Sequence, residues 1–233
     1  MNNERHKNKS ISKIVEEVID SLPFLKDVFR IKAINYSGLA RYLLPFVEKS
    51  LNQKVKMESL IVAIQRYAMK IEGKSISTQI LAALAKCELM LKGNVSYFVL
   101  KRNIHNYEIV WETYKKIKWE EGDIIHISHT ISEIGVLLDK RNSHLILDNV
   151  KKEDIIYHSS KLAMVTLRTP PEILELPGFF SYVLSLVSWR GINLIDVIST
   201  YSSLVLIVGE KDGGKVYNVL LRAIKRAKKL SSF

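Results

Sequence analysis

The hydrophobic period of this sequence changes at Gly93, and that change limits what the chain can fold into. Up to Gly93 apolar residues recur at helical spacing; beyond it they alternate in short runs broken by helical stretches. Ile11, Ile14, Val15, Val18, Ile19 and Leu22 make a helical face behind Ser10 or Ser12 as cap. Pro23 closes that helix or opens a second piece, to Arg30. Asn35 or Ser37 caps the next, with Leu39, Ala40, Leu43, Leu44 and Val47 inward and Pro45 predicting a kink. The polar turn Asn52-Gln53-Lys54 leads into Met57–Lys70, whose apolar face is Leu60, Ile61, Ile64, Tyr67 and Ala68. Gly73 ends it, and Ser75 or Ser77 starts a last helix running through Leu91 to Gly93 as C-cap.

After Gly93 one order of elements occurs twice. Strand Val95–Arg102, helix Tyr107–Trp119, strands Asp123–His129 and Glu133–Asp139, short helix Asn142–Val150 and strand Asp154–Ser160 read β-α-β-β-α-β, a ferredoxin-like pattern. Strand Leu162–Thr169, helix Pro177–Arg190, strands Ile192–Thr200 and Leu204–Gly209 and a helix from Asp212 to Lys229 repeat it. The repeat stops one strand short, because Leu230-Ser231-Ser232-Phe233 is too short for a fourth strand. An open edge pairs readily with other strands, so the other module or a second subunit is expected to complete the sheet. The fold class is α+β: a helical domain over 1–92, then modules over 93–160 and 161–233.

The formal net charge is +11, unevenly placed: residues 1–92 carry 16 basic and 9 acidic residues, 93–160 carry 9 and 10, and 161–233 carry 10 and 5. With 47% hydrophobic residues, 10 Gly and 5 Pro, the chain can bury a core and is neither disordered nor fibrous. One cysteine excludes a disulfide scaffold or a multi-Cys metal site, and fits a reducing cytoplasm. No apolar run reaches the roughly 18 residues of a membrane helix, and no apolar stretch follows the charged N-terminus. The expectation is a soluble cytoplasmic protein without a membrane partner. Arg222, Lys225, Arg226, Lys228 and Lys229 read as a solvated helix end, where cations oppose the macrodipole.

The basic first segment makes DNA a candidate partner. Two helices joined by a short polar turn suggest a helix-turn-helix, with Met57–Lys70 as recognition helix. Gln65, Arg66 and Lys70 would lie on its outer face and Lys54 and Lys56 near the phosphates. A bundle that docks or dimerises explains the same period. Catalytic chemistry finds no support. His126 and His129, three apart on a strand, point to opposite faces, so no metal is expected. Gly209-Glu210-Lys211-Asp212-Gly213-Gly214-Lys215 lacks the phosphate-loop spacing. Ser199, Ser202 and Ser203 have no His/Asp partners, and Cys87 reads as a buried hydrophobe.

Residues about 162–228 carry a more specific pattern: Leu176-Pro177-Gly178-Phe179-Phe180, then Trp189-Arg190-Gly191-Ile192-Asn193-Leu194-Ile195-Asp196-Val197-Ile198-Ser199-Thr200-Tyr201-Ser202-Ser203-Leu204, then Asp212 and Leu220. This resembles an ACT domain, in the form that regulates aspartate kinases. Segment 94–160 shares only the element order, with Asn106-Tyr107 and Glu121-Gly122-Asp123 where the signatures would stand. Residues 1–92 show no kinase signature, and the chain has no room for a kinase domain. The resemblance implies two ACT-type modules that pair, a homo-oligomer, no cofactor and no enzyme activity. It implies an amino-acid effector, or a similar small carboxylate, held between paired modules by Pro177, Gly178, Phe179, Phe180, Asn193, Leu194, Ile195 and Asp196, with Asp196 a candidate for the α-amino group. The residues themselves agree in part: Gly178 can open a loop into a helix whose free amides suit a carboxylate. Two further readings stand beside this one: a ligand-responsive DNA-binding regulator, and a regulatory subunit of a separate metabolic enzyme.

Overall fold

The computed structural model describes residues 10–30, 33–71 and 76–230. The chain divides into two compact units that part between Ser75 and Ile76.

The first unit holds helices α1 (Ile11–Asp20), α2 (Pro23–Arg30), α3 (Tyr36–Leu51) and α4 (Met57–Ile71). Local chemistry sets their ends. The Ser10 hydroxyl accepts from the Lys13 amide at 3.3 Å, and the Asn35 side chain accepts from the Gly38 amide at 2.9 Å. Pro45 stands inside α3, which runs on through it. α3 ends at Asn52, in the left-handed region at φ 51°, so an asparagine does there what a glycine commonly does. The Glu48 carboxylate accepts from the Val55 amide at 3.0 Å and pins the turn. Ile14, Val15, Ile19, Leu43, Val47, Leu60 and Ile64 form the core, and the Tyr67 hydroxyl donates to Asp20 at 2.6 Å, tying α4 to α1. The expected helix end at Gly73 and start at Ser75 lie outside the described residues.

The second unit runs α5 (Ile76–Ala85), β1 (Glu88–Lys101), α6 (Ile104–Lys116), β2 (Ile125–His129), β3 (Glu133–Asp139), α7 (His144–Leu147), β4 (Ile155–Arg168), α8 (Phe179–Ser188), β5 (Leu194–Thr200), β6 (Ser203–Gly209) and α9 (Glu210–Leu230). It is α+β, with one six-stranded antiparallel sheet in the order β2-β3-β1-β4-β6-β5.

Three expectations need correction. Residues up to Leu91 do not continue the helix: α5 stops at Ala85, and Glu88–Lys92 form the first part of β1, paired with Arg168–Met164. Asp154–Ser160 and Leu162–Thr169 are one strand of 14 residues rather than two. The boundaries drawn at 92/93 and 160/161 therefore fall inside β1 and β4, and residues 76–92 belong to the second unit. The physical reason is one pairing. β1 is as long as β4, and the edge of β4 over Met164–Arg168 is covered by Glu88–Lys92. Gly93 is no helix cap; it precedes Asn94, at φ 53°, where the β1–β4 register shifts. That shift changes the parity of β1, so Leu89 before it and Phe98 after it both face helices.

One face of the sheet carries all the helices of this unit. α5, α8 and α9 cover Ala163, Val165, Leu167, Leu204, Leu206 and Val208. α6 and α7 cover Phe98, Leu100, Ile134, Val136 and Leu138. The alternate residues Val95, Leu137, Leu162, Ile198 and Ile207 cluster on the other face with strand and loop residues only. Gly213 lets α9 sit close to β4: a Cβ there would stand 2.5 Å from that of Ala163 and 3.3 Å from Leu91 Cδ1. Its neighbour Gly214 has nothing within 4 Å of such a Cβ. Gly213→Ala is expected to cost about 1–3 kcal/mol in urea unfolding, while Gly214→Ala gains up to about 1 kcal/mol from helix propensity. Equal effects of the two substitutions would contradict this packing.

Candidate functional site

α8 begins at Gly178, which lies in the left-handed region at φ 88° and is exposed together with Pro177. A Cβ on Gly178 would meet only Ile80 Cδ1, at 3.6 Å, so conformation rather than space requires the glycine. No side chain caps α8. α6, which follows β1, is capped: the Asn103 side chain accepts from the Asn106 amide at 2.8 Å. Asn103 and Asn106 also donate to Asp154, at 3.1 and 3.3 Å. Burial pushes the Asp154 pKa up, but these bonds and Lys101 outweigh it and hold the carboxyl below its usual range. The start of α6 is thus occupied by the protein's own groups, and the start of α8 is free of any such side chain.

The eight residues expected to hold an effector do not converge within one chain. Phe179 is fully buried, and Phe180 packs edge-on to it with ring centroids 6.0 Å apart. Both belong to the core with Val183, Ile192 and Leu194, and so support the loop from beneath. α8 has 10 residues, about 15 Å of rise, so exposed Asn193 stands at the end of α8 opposite Pro177 and Gly178. Gly191, at φ 69°, makes the intervening turn.

Ile195 and Asp196 turn to the helix-free face. The β5–β6 register shifts between Leu194 and Asp196, which moves Asp196 onto the side of its pairing partner Ile207. There the Tyr97 hydroxyl of β1 faces the Asp196 carboxylate. In a flat sheet β1 and β5, three strand spacings apart, would be roughly 14 Å from one another. The meeting of Tyr97 with Asp196 therefore requires the sheet to curl over its helix-free face. Burial first, and the Asp196 carboxylate second, raise the Tyr97 pKa. Gly135 makes room for the same ring: a Cβ there would lie 3.0 Å from the Tyr97 hydroxyl and 2.6 Å from Ser128 Oγ. His126 of β2 also lies on this face, and its pKa is lowered by burial even though Asp196 pulls it upward. Tyr97, Gly135 and His126 were missed as a group by the sequence reading. A glycine inside an apolar strand was the available signal.

His129 leaves on the other side of β2 and meets Tyr107 of α6 edge-on at 6.2 Å, so the two histidines face apart. Burial pushes the Cys87 thiol up to about 12. Among the described residues no group of three His, Cys, Asp or Glu is placed to hold a metal ion, and no described helix is long and apolar enough to cross a membrane.

Lys54, Lys56, Gln65, Arg66 and Lys70 are all exposed. Lys54 pairs with Glu48 at 3.6 Å and Lys70 with Glu16 at 3.5 Å. The outer face of α4 also carries Glu58 and the exposed apolar residues Val62 and Met69. It is a mixed surface rather than a continuous cationic one.

No family model matches this sequence, and no curated protein matches it. Solved structures do. The chain is similar to the regulatory subunit of aspartate kinase from Thermus thermophilus in its ligand-free form, at 12% identity and a TM-score of 0.45, over 58% of this chain and 95% of that one. A putative C-terminal regulatory domain of aspartate kinase from Porphyromonas gingivalis W83 gives 9% identity and a TM-score of 0.42, over 60% and 98%. The aspartate kinase of Clostridium acetobutylicum gives 10% and 0.48, over 59% of this chain but 34% of that one. Two of these are regulatory parts of aspartate kinases and the third is a whole aspartate kinase matched over about a third of its length. At such identities and scores the likeness assigns neither ligand nor activity to this chain.

The half-buried imidazole of His126 sets a pH dependence. With a lowered pKa, His126 stays neutral in the fold, and the unfolded chain takes up the proton first as pH falls. Stability present above the ordinary imidazole value of about 6.5 is lost below it. Urea midpoints at pH 7.5 and 5.5 should fall less in His126→Gln than in the native chain, with His129→Gln as control. An unchanged difference in His126→Gln would contradict the placement.

Proposed function

We propose that this chain is a non-catalytic regulatory protein that senses an amino acid or a similar small carboxylate. In this reading its two ferredoxin-like, ACT-type halves are built on shared strands β1 and β4. The observation that supports it is the start of α8: an exposed Pro177-Gly178 loop, a glycine in the left-handed region and no capping side chain. Helix N-terminal amides carry partial positive charge and accept a carboxylate. Asn193 stands at the far end of α8, so a ligand at Gly178 needs a second module to close over it. Pairing of modules supplies that. Asp196 lies on the Tyr97 side of the sheet, so its part is to hold the curl, and exposed Asn193, just before β5, is the residue offered to a ligand. DNA contact through α4 has less support, because Lys54 and Lys70 are paired within their own unit and Val62 and Met69 interrupt the face.

A thermal-shift panel of the twenty amino acids tests the reading. A ligand at about 100 times its dissociation constant adds about 2.7 kcal/mol, or roughly 5–10 °C for a chain of this size. One amino acid or a close group should give that shift. Gly178→Val should lose it while keeping its circular dichroism. No shift with any amino acid, or a shift that Gly178→Val retains, would overturn the proposal.

A further inference from the structure

The outer face of α6 has no part in the site described above, and it is unusually apolar for a surface. Ile104 is 78% exposed, Trp111 56% and Tyr114 38%, and Trp119 just beyond the helix is 49% exposed. They are ordered rather than scattered. Trp111 and Tyr114 stack with planes 7° apart and centroids at 5.4 Å, and Tyr114 meets Trp119 at 5.2 Å. Ile104, Glu108, Trp111 and Lys115 follow one stripe at spacings of four, three and four residues. Four large apolar side chains in one exposed stretch exceed the scattered exposure that a soluble surface normally carries.

The charges along the stripe say what covers it. Glu108 lies in the first half of α6 and Lys115 in the second, on the same side of the line from Ile104 to Trp111, seven residues or about 10.5 Å apart. A two-fold axis beside Trp111, perpendicular to the helix, would pair α6 with an antiparallel copy of itself. Such an axis keeps each residue on its own side of the stripe. Glu108 then meets Lys115 of the second copy, and Ile104 meets Trp119 of the second copy, in one register centred on the two Trp111 side chains. Parallel pairing would set Glu108 against Glu108 and Lys115 against Lys115, which like charges disfavour. Lys115 is paired within its own chain to Glu112 at 2.7 Å, but both side chains are more than half exposed, and such a pair holds its partners weakly.

We propose that α6 is a homotypic docking helix, and that two copies of this chain associate through antiparallel α6 helices centred on Trp111. The aromatic stripe forms the buried centre, in keeping with the aromatic anchors of protein interfaces, and Glu108 and Lys115 fix direction and register.

Sedimentation velocity on the full chain over a micromolar concentration series tests this. The native chain should be a dimer. Glu108→Lys and Lys115→Glu should each raise the dimer dissociation constant at least about tenfold, which corresponds to roughly 1.4 kcal/mol. The double variant Glu108→Lys/Lys115→Glu should return most of the lost affinity, because the swapped charges again face opposite signs across the axis. Circular dichroism confirms that these surface variants remain folded. A monomeric native chain, single variants that associate like the native chain, or a double variant no better than either single one would each overturn the proposal; the last two would leave the stripe to the helical unit or to another protein.

Discussion

The antiparallel pairing of β1 with β4 is the contact on which the second unit depends. Each strand has 14 residues, and their ladder runs from Glu88–Arg168 to Leu100–Ile155. β3 builds outward from β1 and β6 from β4, so either half of the sheet reaches the other only through this pair. The pairing also brings distant residues together: Glu88–Lys92, which come before every other described strand residue, pair with Met164–Arg168. Because such contacts join distant parts of the sequence, their loop-closure entropy is met by burial of Val95, Leu162, Val165 and Leu167 around the ladder.

A second constraint follows from the faces of the sheet. With the helices of this unit on one side, the strands themselves help to shield Val95, Leu137, Leu162 and Ile207 on the other. Curling does this, and the approach of Tyr97 to Asp196 marks where the curl closes. Gly135 is part of the same solution, since any larger residue would displace the Tyr97 hydroxyl or Ser128. Asp196 lies on the helix-free face, where the Tyr97 hydroxyl faces it, whereas Gly178 opens a helix on the other face. The first turns of α6 and α8 differ for an equally local reason: Asn103 occupies the amides of one, and no side chain occupies those of the other.

Much of this was legible in the sequence, for reasons that particular residues show. The helices of the first unit each bury one stripe, so Ile14, Val15 and Ile19 or Leu60 and Ile64 announce themselves by spacing. Ser10 and Asn35 were readable because their caps are made within three residues. Ile134, Val136 and Leu138 alternate cleanly with Gly135 and Leu137, and gave β3 its bounds. Lys86–Lys92 were misread because Leu84, Cys87 and Leu91 also fit a helical period; only pairing with residues more than seventy positions away settles the choice. Asp154–Ser160 and Leu162–Thr169 read as two strands parted at Lys161 for a similar reason, since a polar residue says nothing of strand partners on either side. At the site, the Pro177-Gly178 turn and the Gly191 turn were legible as glycine positions. The side of the sheet taken by Asp196 was not, because a one-residue register shift reverses it.

The central claim is that Glu88–Lys92 belong to the sheet and carry the β1–β4 pairing to Arg168. Amide hydrogen exchange on the full chain measures this directly. The ladder amides of Glu88–Lys92 should exchange as slowly as those of their partners in Met164–Arg168, near the rate of global unfolding. Fast exchange of Glu88–Lys92 beside a protected Met164–Arg168 would show an open edge on β4 and contradict the account.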